Sequence, residues 1–234
     1  MTDRPAAAPP ATDRWHPVLP SSHLPATALQ PPSSPVLGFL GGEELALWRA
    51  SDGTAQAWTN RCPHRGLRFT LGRVLDGRLS CGYHGWEYQA GDGRCVAIPA
   101  HPAMTVPRAI CATTWPTAEV DGMIWVSRTA CADAPPATGI QAILRTLGIR
   151  APHPVVADML PGLGWVHSAA GVFTGKLAGH GAVLLPACAG ERLTLLHAGL
   201  TDAADPARLP GLHAALRSLR DALETAAPHE EARQ

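Results

Sequence analysis

Between residues 36 and 129, short apolar stretches alternate with turn signals, and this rhythm predicts β-strands. VLGFL (36–40) ends at Gly41-Gly42, ELALWRA (44–50) at Asp52-Gly53, and AQAWTN (55–60) follows. Further along, Asp76-Gly77 precedes RLSC, Asp92-Gly93 precedes CVAI, and Asp121-Gly122 precedes MIWVS. Asp-Gly pairs supply the positive φ angles that tight hairpin turns require. Strands at this spacing predict a small antiparallel β-sandwich or barrel, so the fold class is mainly β.

The flanks read differently. Residues 1–35 hold nine of the 23 prolines, a density that no helix or central strand tolerates. Residues 1–14 are expected to form a disordered Pro/Ala-rich leader. From Trp15 the chain is expected to drape over the following domain, which runs to residue 130. Residues 131–180 read as a linker or irregular region: Ala134–Thr138 as linker, Gln141–Leu147 as a helical turn, and 162–181 as a glycine-rich stretch without period. Residues 181–234 predict a β-hairpin and a helix, a reduced α+β C-terminal region. In the hairpin, AVLLPA turns at Ala189-Gly190 into RLTLLHAGL. In the helix, Leu209, Leu212, Leu216, Leu219 and Leu223 step by three and four, laying down one apolar stripe. Asp205-Pro206 provides an N-cap and a first-turn proline. Such a stripe is a packing surface.

Composition narrows the function classes. The 234 residues suffice for one large domain or two small ones, and a hydrophobic content of 46% allows a true core. Lys+Arg and Asp+Glu both total 19, so the basic excess needed for nucleic acid or an anionic membrane is lacking. No apolar run reaches the roughly 18 residues of a membrane span. The first residues carry charges and prolines rather than a secretory apolar core. The six cysteines are therefore expected as thiols or metal ligands in a cytoplasmic protein.

Two short segments carry the chemistry: Cys62-Pro63-His64-Arg65-Gly66 and Cys81-Gly82-Tyr83-His84-Gly85-Trp86. Each supplies one thiolate and one imidazole. Four such ligands can hold one zinc ion, although zinc sites usually pair cysteines in one knuckle and histidines in the other. One of each per loop suits a two-iron cluster, in which one iron takes both sulfurs and the other both nitrogens. Neutral imidazoles in place of two thiolates make reduction easier, giving roughly −150 to +300 mV against about −400 mV for an all-cysteine plant-type cluster. Gly66, Gly82 and Gly85 are expected to let backbone amides approach the cluster sulfurs. Cys62, His64, Cys81 and His84 are thus the candidate ligands of a 2Fe–2S cluster.

The run from Asn60 to Ala100 resembles the Rieske domain of the Rieske non-haem iron oxygenases, with the resemblance covering about Trp15 to Val126. Arg65 after the first histidine and Trp86 after His84-Gly85 are oxygenase-like. Respiratory-chain Rieske proteins carry an extra cysteine in each cluster loop, joined as a disulfide, and neither loop here has it. The resemblance implies a one-electron carrier in a hydroxylating or demethylating oxygenase system. It also implies a reductase or ferredoxin as electron donor, an oxygenase partner subunit, and homo- or hetero-oligomers.

Oxygenases of this family also hold a mononuclear iron through D-x-x-H-x-x-x-x-H, and this chain has no match. Asp158, His167 and His180 are the substitutes at hand, at spacings that support the role poorly. A mononuclear iron is therefore not expected, and the middle of the catalytic domain is expected to be lost or reduced, leaving 181–234 as its remnant. Two alternatives stay open, a complete but divergent oxygenase and a non-catalytic assembly subunit that keeps the cluster for structure. Among the remaining residues, Cys95 is expected in the core; Cys111, Cys131 and Cys188 are expected as idle thiols, and His101 and His197 as ordinary histidines. Tyr83 either bonds the cluster or packs, Trp86 shields it, and Arg65 is a salt-bridge partner or a tuning charge.

Overall fold

The computed structural model describes residues 14–24, 33–168, 171–203 and 205–226, so all but the last residue of the expected 1–14 leader lies outside it. Four antiparallel sheets make up the molecule. One has β1 (His16–Pro20) and β10 (Thr117–Val120) on either side of β11 (Met123–Val126). The second runs β2 (Val36–Leu40), β3 (Glu43–Arg49), β4 (Ala55–Thr59) and β9 (Thr114–Trp115). The third is a meander of short strands, β5 (Arg73–Leu75), β6 (Arg78–Ser80), β7 (Glu87–Gln89) and β8 (Cys95–Ala97). The mainly-β expectation for 36–129 therefore holds. Asp76 and Asp121 take φ of 47° and 51° ahead of their glycines, as tight hairpins demand.

β3 reads as an uninterrupted apolar run because both its faces are buried. Ala46 and Trp48 enter a core with Trp58, Phe69 and Tyr88, whereas Leu45 and Leu47 join Val18, Leu40 and Ile124. The aromatic core is an edge-to-face chain. Trp48 and Trp58 lie 5.0 Å apart at 88°, and Phe69 and Tyr88 lie 5.2 Å apart at 83°. This core forms the floor beneath the two cysteine–histidine loops.

Most of the region expected to be irregular, from Ala142 onward, holds strands and a helix. Ala142–Ile149 is a strand, β12, where a helical turn was expected. It pairs with β16 (Leu193–Leu200) from Ala142↔Leu200 to Ile149↔Thr194, with a bulge between Ile143 and Arg145. The bulge disturbs the alternation, and pairing with a long neighbour decides the conformation over local preference. After the helix α1 (His153–Met159), β13 (Val166–His167), β14 (Phe173–Leu177) and β15 (His180–Gly190) complete a five-stranded sheet ordered β12-β16-β15-β14-β13. The glycine-rich stretch thus holds strands, whereas Ala134–Thr138, expected as a linker, forms no helix or strand. The expected hairpin is β15–β16, but it turns at Glu191-Arg192, because a bulge between Cys188 and Gly190 carries the strand past Ala189-Gly190.

The leucine helix is α2, Leu209–Ala226. Asp205 accepts a hydrogen bond from the Ala207 amide at 3.0 Å and caps a short 3-10 turn leading into it. Leu212, Leu216 and Leu223 are buried on one sheet face with Leu184, Leu196 and Leu200, while Leu209 and Leu219 flank them. On the opposite face Val183 and Leu185 meet Met123 and Trp125 of β11. No helix among the described residues is long and apolar enough to cross a membrane.

His197 of β16 is fully buried, with Nδ1 2.8 Å from the Thr146 hydroxyl and Nε2 unpartnered among the described residues. Burial lowers its pKa to about 3. Burial likewise pushes His16 down to about 4 and lowers His153. The folded imidazole resists a proton that the unfolded chain accepts. Stability present above pH 6.5 is therefore lost as pH falls towards 3. Urea unfolding across this range should show a shallower loss for His197→Gln. Leu216→Ala should cost about 2–5 kcal/mol in the same assay at neutral pH.

Candidate metal centre

The two loops are built alike. In the first, the Cys62 amide donates to the Leu67 carbonyl at 2.8 Å and the Gly66 amide to the Cys62 carbonyl at 2.8 Å. In the second, the Cys81 amide donates to the Trp86 carbonyl at 2.9 Å and the Gly85 amide to the Cys81 carbonyl at 3.0 Å. Gly66 and Gly85 close the turns at φ of 73° and 70°, a region costly for other residues. Each loop thus turns its cysteine into the aromatic core and its histidine outwards.

Cys62 and Cys81 are buried, 2% and 4% exposed, and their thiols are within hydrogen-bonding reach of each other. Above them His64 and His84 face one another, Nδ1 to Nδ1 at 3.1 Å. The structure thus sets the two cysteine sulfurs beside each other and the two imidazoles beside each other. Among the described residues, no three His, Cys, Asp or Glu side chains converge on one point as a single-ion site would require. The donor chemistry fits a two-iron group, which asks each iron for only two protein ligands.

The surroundings hold the four candidate ligands in place. Trp86 stacks on His64 with centroids 4.0 Å apart and planes 6° from parallel, covering one imidazole face. Tyr83 stacks on His84 at 3.7 Å and is 62% exposed, so its ring packs on that imidazole. Burial pushes the Cys81 thiol pKa up, against the lowering effect of hydrogen bonds from the Tyr83 and His84 amides. A cation must therefore displace the proton for the sulfur to bind as thiolate. Burial, His84 and Arg65 together lower the His64 pKa. Among the described residues Arg65 has no carboxylate partner.

Two features differ from expectation. Backbone amides do approach the Cys81 sulfur, those of Tyr83 and His84 between the two glycines, but the close contact at Gly82 is with another segment. Gly82 has another duty, since a Cβ there would lie 2.3 Å from the Leu71 carbonyl oxygen, and only glycine lets these backbone segments touch. The sequence reading also overlooked Tyr88, whose hydroxyl sits 3.1 Å from Cys62 Sγ in the buried core. Burial and then Cys62 raise the pKa of that hydroxyl, so it stays protonated and able to donate. Its signal was the period-two pattern of β7, with Tyr88 buried between Glu87 and Gln89. Cys95 is 2% exposed in the same core, where burial pushes its thiol up to about 11. Asp158, His167 and His180 are not assembled into a site; His180 instead lies 3.7 Å from Asp202.

Comparison with known proteins agrees with this geometry. The Rieske [2Fe-2S] domain profile matches residues 14–116. Oxidoreductase NdmD of Pseudomonas putida is 40% identical over 115 residues, 49% of this chain and 18% of that protein. The 3-chlorobenzoate-3,4-dioxygenase oxygenase subunit of Comamonas testosteroni is 37% identical over 113 residues, 48% of this chain and 25% of its own length. The match thus spans a quarter or less of either relative. In fold, NdmA of Pseudomonas putida CBB5 superposes with a TM-score of 0.70 at 18% identity, over 94% of this chain and 84% of NdmA. Residues 14–116 therefore match the Rieske [2Fe-2S] domain, and this part of the chain is similar in sequence to segments of an oxidoreductase and an oxygenase subunit.

Proposed function

We propose that Cys62, His64, Cys81 and His84 ligate the cluster and that the chain is the one-electron transfer component of an oxygenase system. The carrying observation is the paired geometry, with two buried thiols beneath two imidazoles whose Nδ1 atoms face each other. When bound, such a cluster supplies a one-electron couple. Nδ1 of each histidine is the ligating atom, which leaves Nε2 on the outer side of the ring. His84 is exposed and His64 partly so, giving the electron a short way out. A reductase or ferredoxin donates, and an oxygenase subunit accepts. The remnant of an oxygenase catalytic domain, expected at 181–234, reaches back to β12 at residue 142, which pairs with β16.

The Tyr88 hydroxyl and the Tyr83 and His84 amides all donate towards ligand sulfurs. These bonds strengthen as the sulfurs gain negative charge on reduction, so they raise the potential. A second reading, a divergent but complete oxygenase, draws on the fold match extending beyond residue 116 into the C-terminal sheet.

Anaerobically purified protein should contain two irons and two sulfides per chain and show a Rieske EPR signal on reduction. Cys81→Ser and His64→Ala should abolish the signal. A colourless zinc protein would refute the assignment, and a third, sulfide-free iron would favour the second reading. Tyr88→Phe should keep the signal and lower the potential in film voltammetry. The drop should be roughly 20–60 mV, taking about 0.5–1.5 kcal/mol for one hydrogen bond and about 59 mV per tenfold change for one electron.

A further inference from the structure

Asn60 follows β4 directly and stands two residues ahead of Cys62. It is 1% exposed, and both ends of its carboxamide are bonded. Nδ2 donates to Glu44 Oε2 at 3.2 Å and to the Thr70 hydroxyl at 3.1 Å, while Oδ1 accepts from the Thr70 amide at 3.0 Å. Its own amide donates to the Glu44 carbonyl at 3.0 Å. The two-way pairing with Thr70 needs a donor and an acceptor in one short side chain, which asparagine supplies and aspartate does not. It closes a wider ring around the first cysteine–histidine loop, outside the bonds from the Cys62 and Gly66 amides that close the inner one. Glu44 grips both legs of that ring, because its other oxygen takes Arg68 at 2.8 Å.

Thr70 belongs to the short 3-10 turn Phe69–Leu71, after which the Gly72 amide donates to the Phe69 carbonyl at 2.8 Å. Phe69 anchors this turn in the aromatic core, edge-on to Trp58 and Tyr88. The far side of the turn rests on the second loop. A Cβ at Gly72 would strike the Ser80 carbonyl oxygen, and one at Gly82 would strike the Leu71 carbonyl oxygen. Both contacts flank Cys81. The turn is therefore a spacer, pinned at one end to the residue that leads into Cys62 and seated at the other on both neighbours of Cys81. Cys62 Sγ in turn lies 3.1 Å from the Tyr88 hydroxyl, a bond that fails if the entry to its loop drifts.

We propose that Asn60 is a positioning residue of the redox site: through Thr70 it holds Cys62 against the Tyr88 hydroxyl and at a set spacing from Cys81. The proposal rests on the reading of Cys62, His64, Cys81 and His84 as cluster ligands, and adds a residue that acts on the couple without touching it. Its influence on the potential runs through the Cys62–Tyr88 hydrogen bond. Such bonds favour the reduced state, in which the sulfur carries more negative charge. Loss of Asn60 weakens the same bond that Tyr88→Phe removes, and two changes that act on one bond do not add.

The test measures potentials by film voltammetry on the cluster-loaded full chain and on its Asn60→Ala, Tyr88→Phe and double variants. Asn60→Ala should lower the potential by no more than Tyr88→Phe does, and the double variant should fall no further than Tyr88→Phe alone. Asn60→Ala should also release iron to a chelator about tenfold faster than the unmodified chain. Thr70→Ser, which keeps both partners of Asn60, should match the unmodified chain. Thr70→Val removes only the hydroxyl and should give a smaller drop; it stands in where Asn60→Ala does not fold. Leu216→Ala, which loosens the distant packing of α2, should leave the potential and the iron release unchanged. An unchanged potential in Asn60→Ala, or in Thr70→Val as its stand-in, overturns the inference. So do drops that sum in the double variant, or an equal drop and iron loss in Leu216→Ala. Absence of a Rieske signal from the unmodified chain overturns instead the reading on which it rests.

Discussion

The site depends on one repeated constraint, a backbone loop closed twice by the same pair of hydrogen bonds. In each loop a glycine amide bonds back to the cysteine carbonyl, and the cysteine amide reaches the residue after that glycine. These bonds fix where each Sγ starts and force the chain to leave on the opposite side. The histidine sits two residues after the cysteine in one loop and three in the other, so the two rings meet from slightly different angles, 54° apart in plane. Everything nearby supports that meeting. Trp86 backs one ring, Tyr83 the other, and the edge-to-face aromatic core holds the sulfurs in a dry floor. A dry floor matters because hydrogen bonds to sulfur are stronger where water cannot compete.

Much of this was legible in the chain. The two cysteine–histidine loops declared their chemistry by spacing, and the Asp-Gly turns marked the strands between them. The leucine stripe fixed α2, because five side chains at helical period admit few other conformations. The less legible parts share a cause. Ala142–Ile149 has no clean alternation, and only its pairing with β16 makes it a strand. The hairpin turn moved to Glu191-Arg192 because of a bulge that no residue type announces. Tyr88 looked like one more strand aromatic, and its contact with Cys62 joins positions 26 apart in sequence. Gly82 was recognised as necessary for the wrong reason, since its neighbour is the Leu71 carbonyl, brought there by the tertiary fold.

The electrostatic layout follows from how hairpins are made. Aspartate favours tight turns, and in the β5–β8 meander the β5–β6 and β7–β8 turns both fall at the end opposite the cysteine loop that joins β6 to β7. Carboxylates therefore collect there as a by-product of turn chemistry. The other end is left to longer loops whose charged residues are arginines. Polarity along the domain thus needs no excess of either sign in the chain as a whole.

β15 carries a final consequence. Its Leu184 faces α2 while its Val183 and Leu185 face Trp125 and Met123. One ribbon is thereby shared by two interiors, and neither half of the molecule owns it. Severing the chain near residue 130 would strip the wall from Trp125 and leave an oily scar on the metal-bearing half. The C-terminal portion thus acts as a permanent lining for its neighbour, which gives it a reason to persist whether or not it retains chemistry of its own.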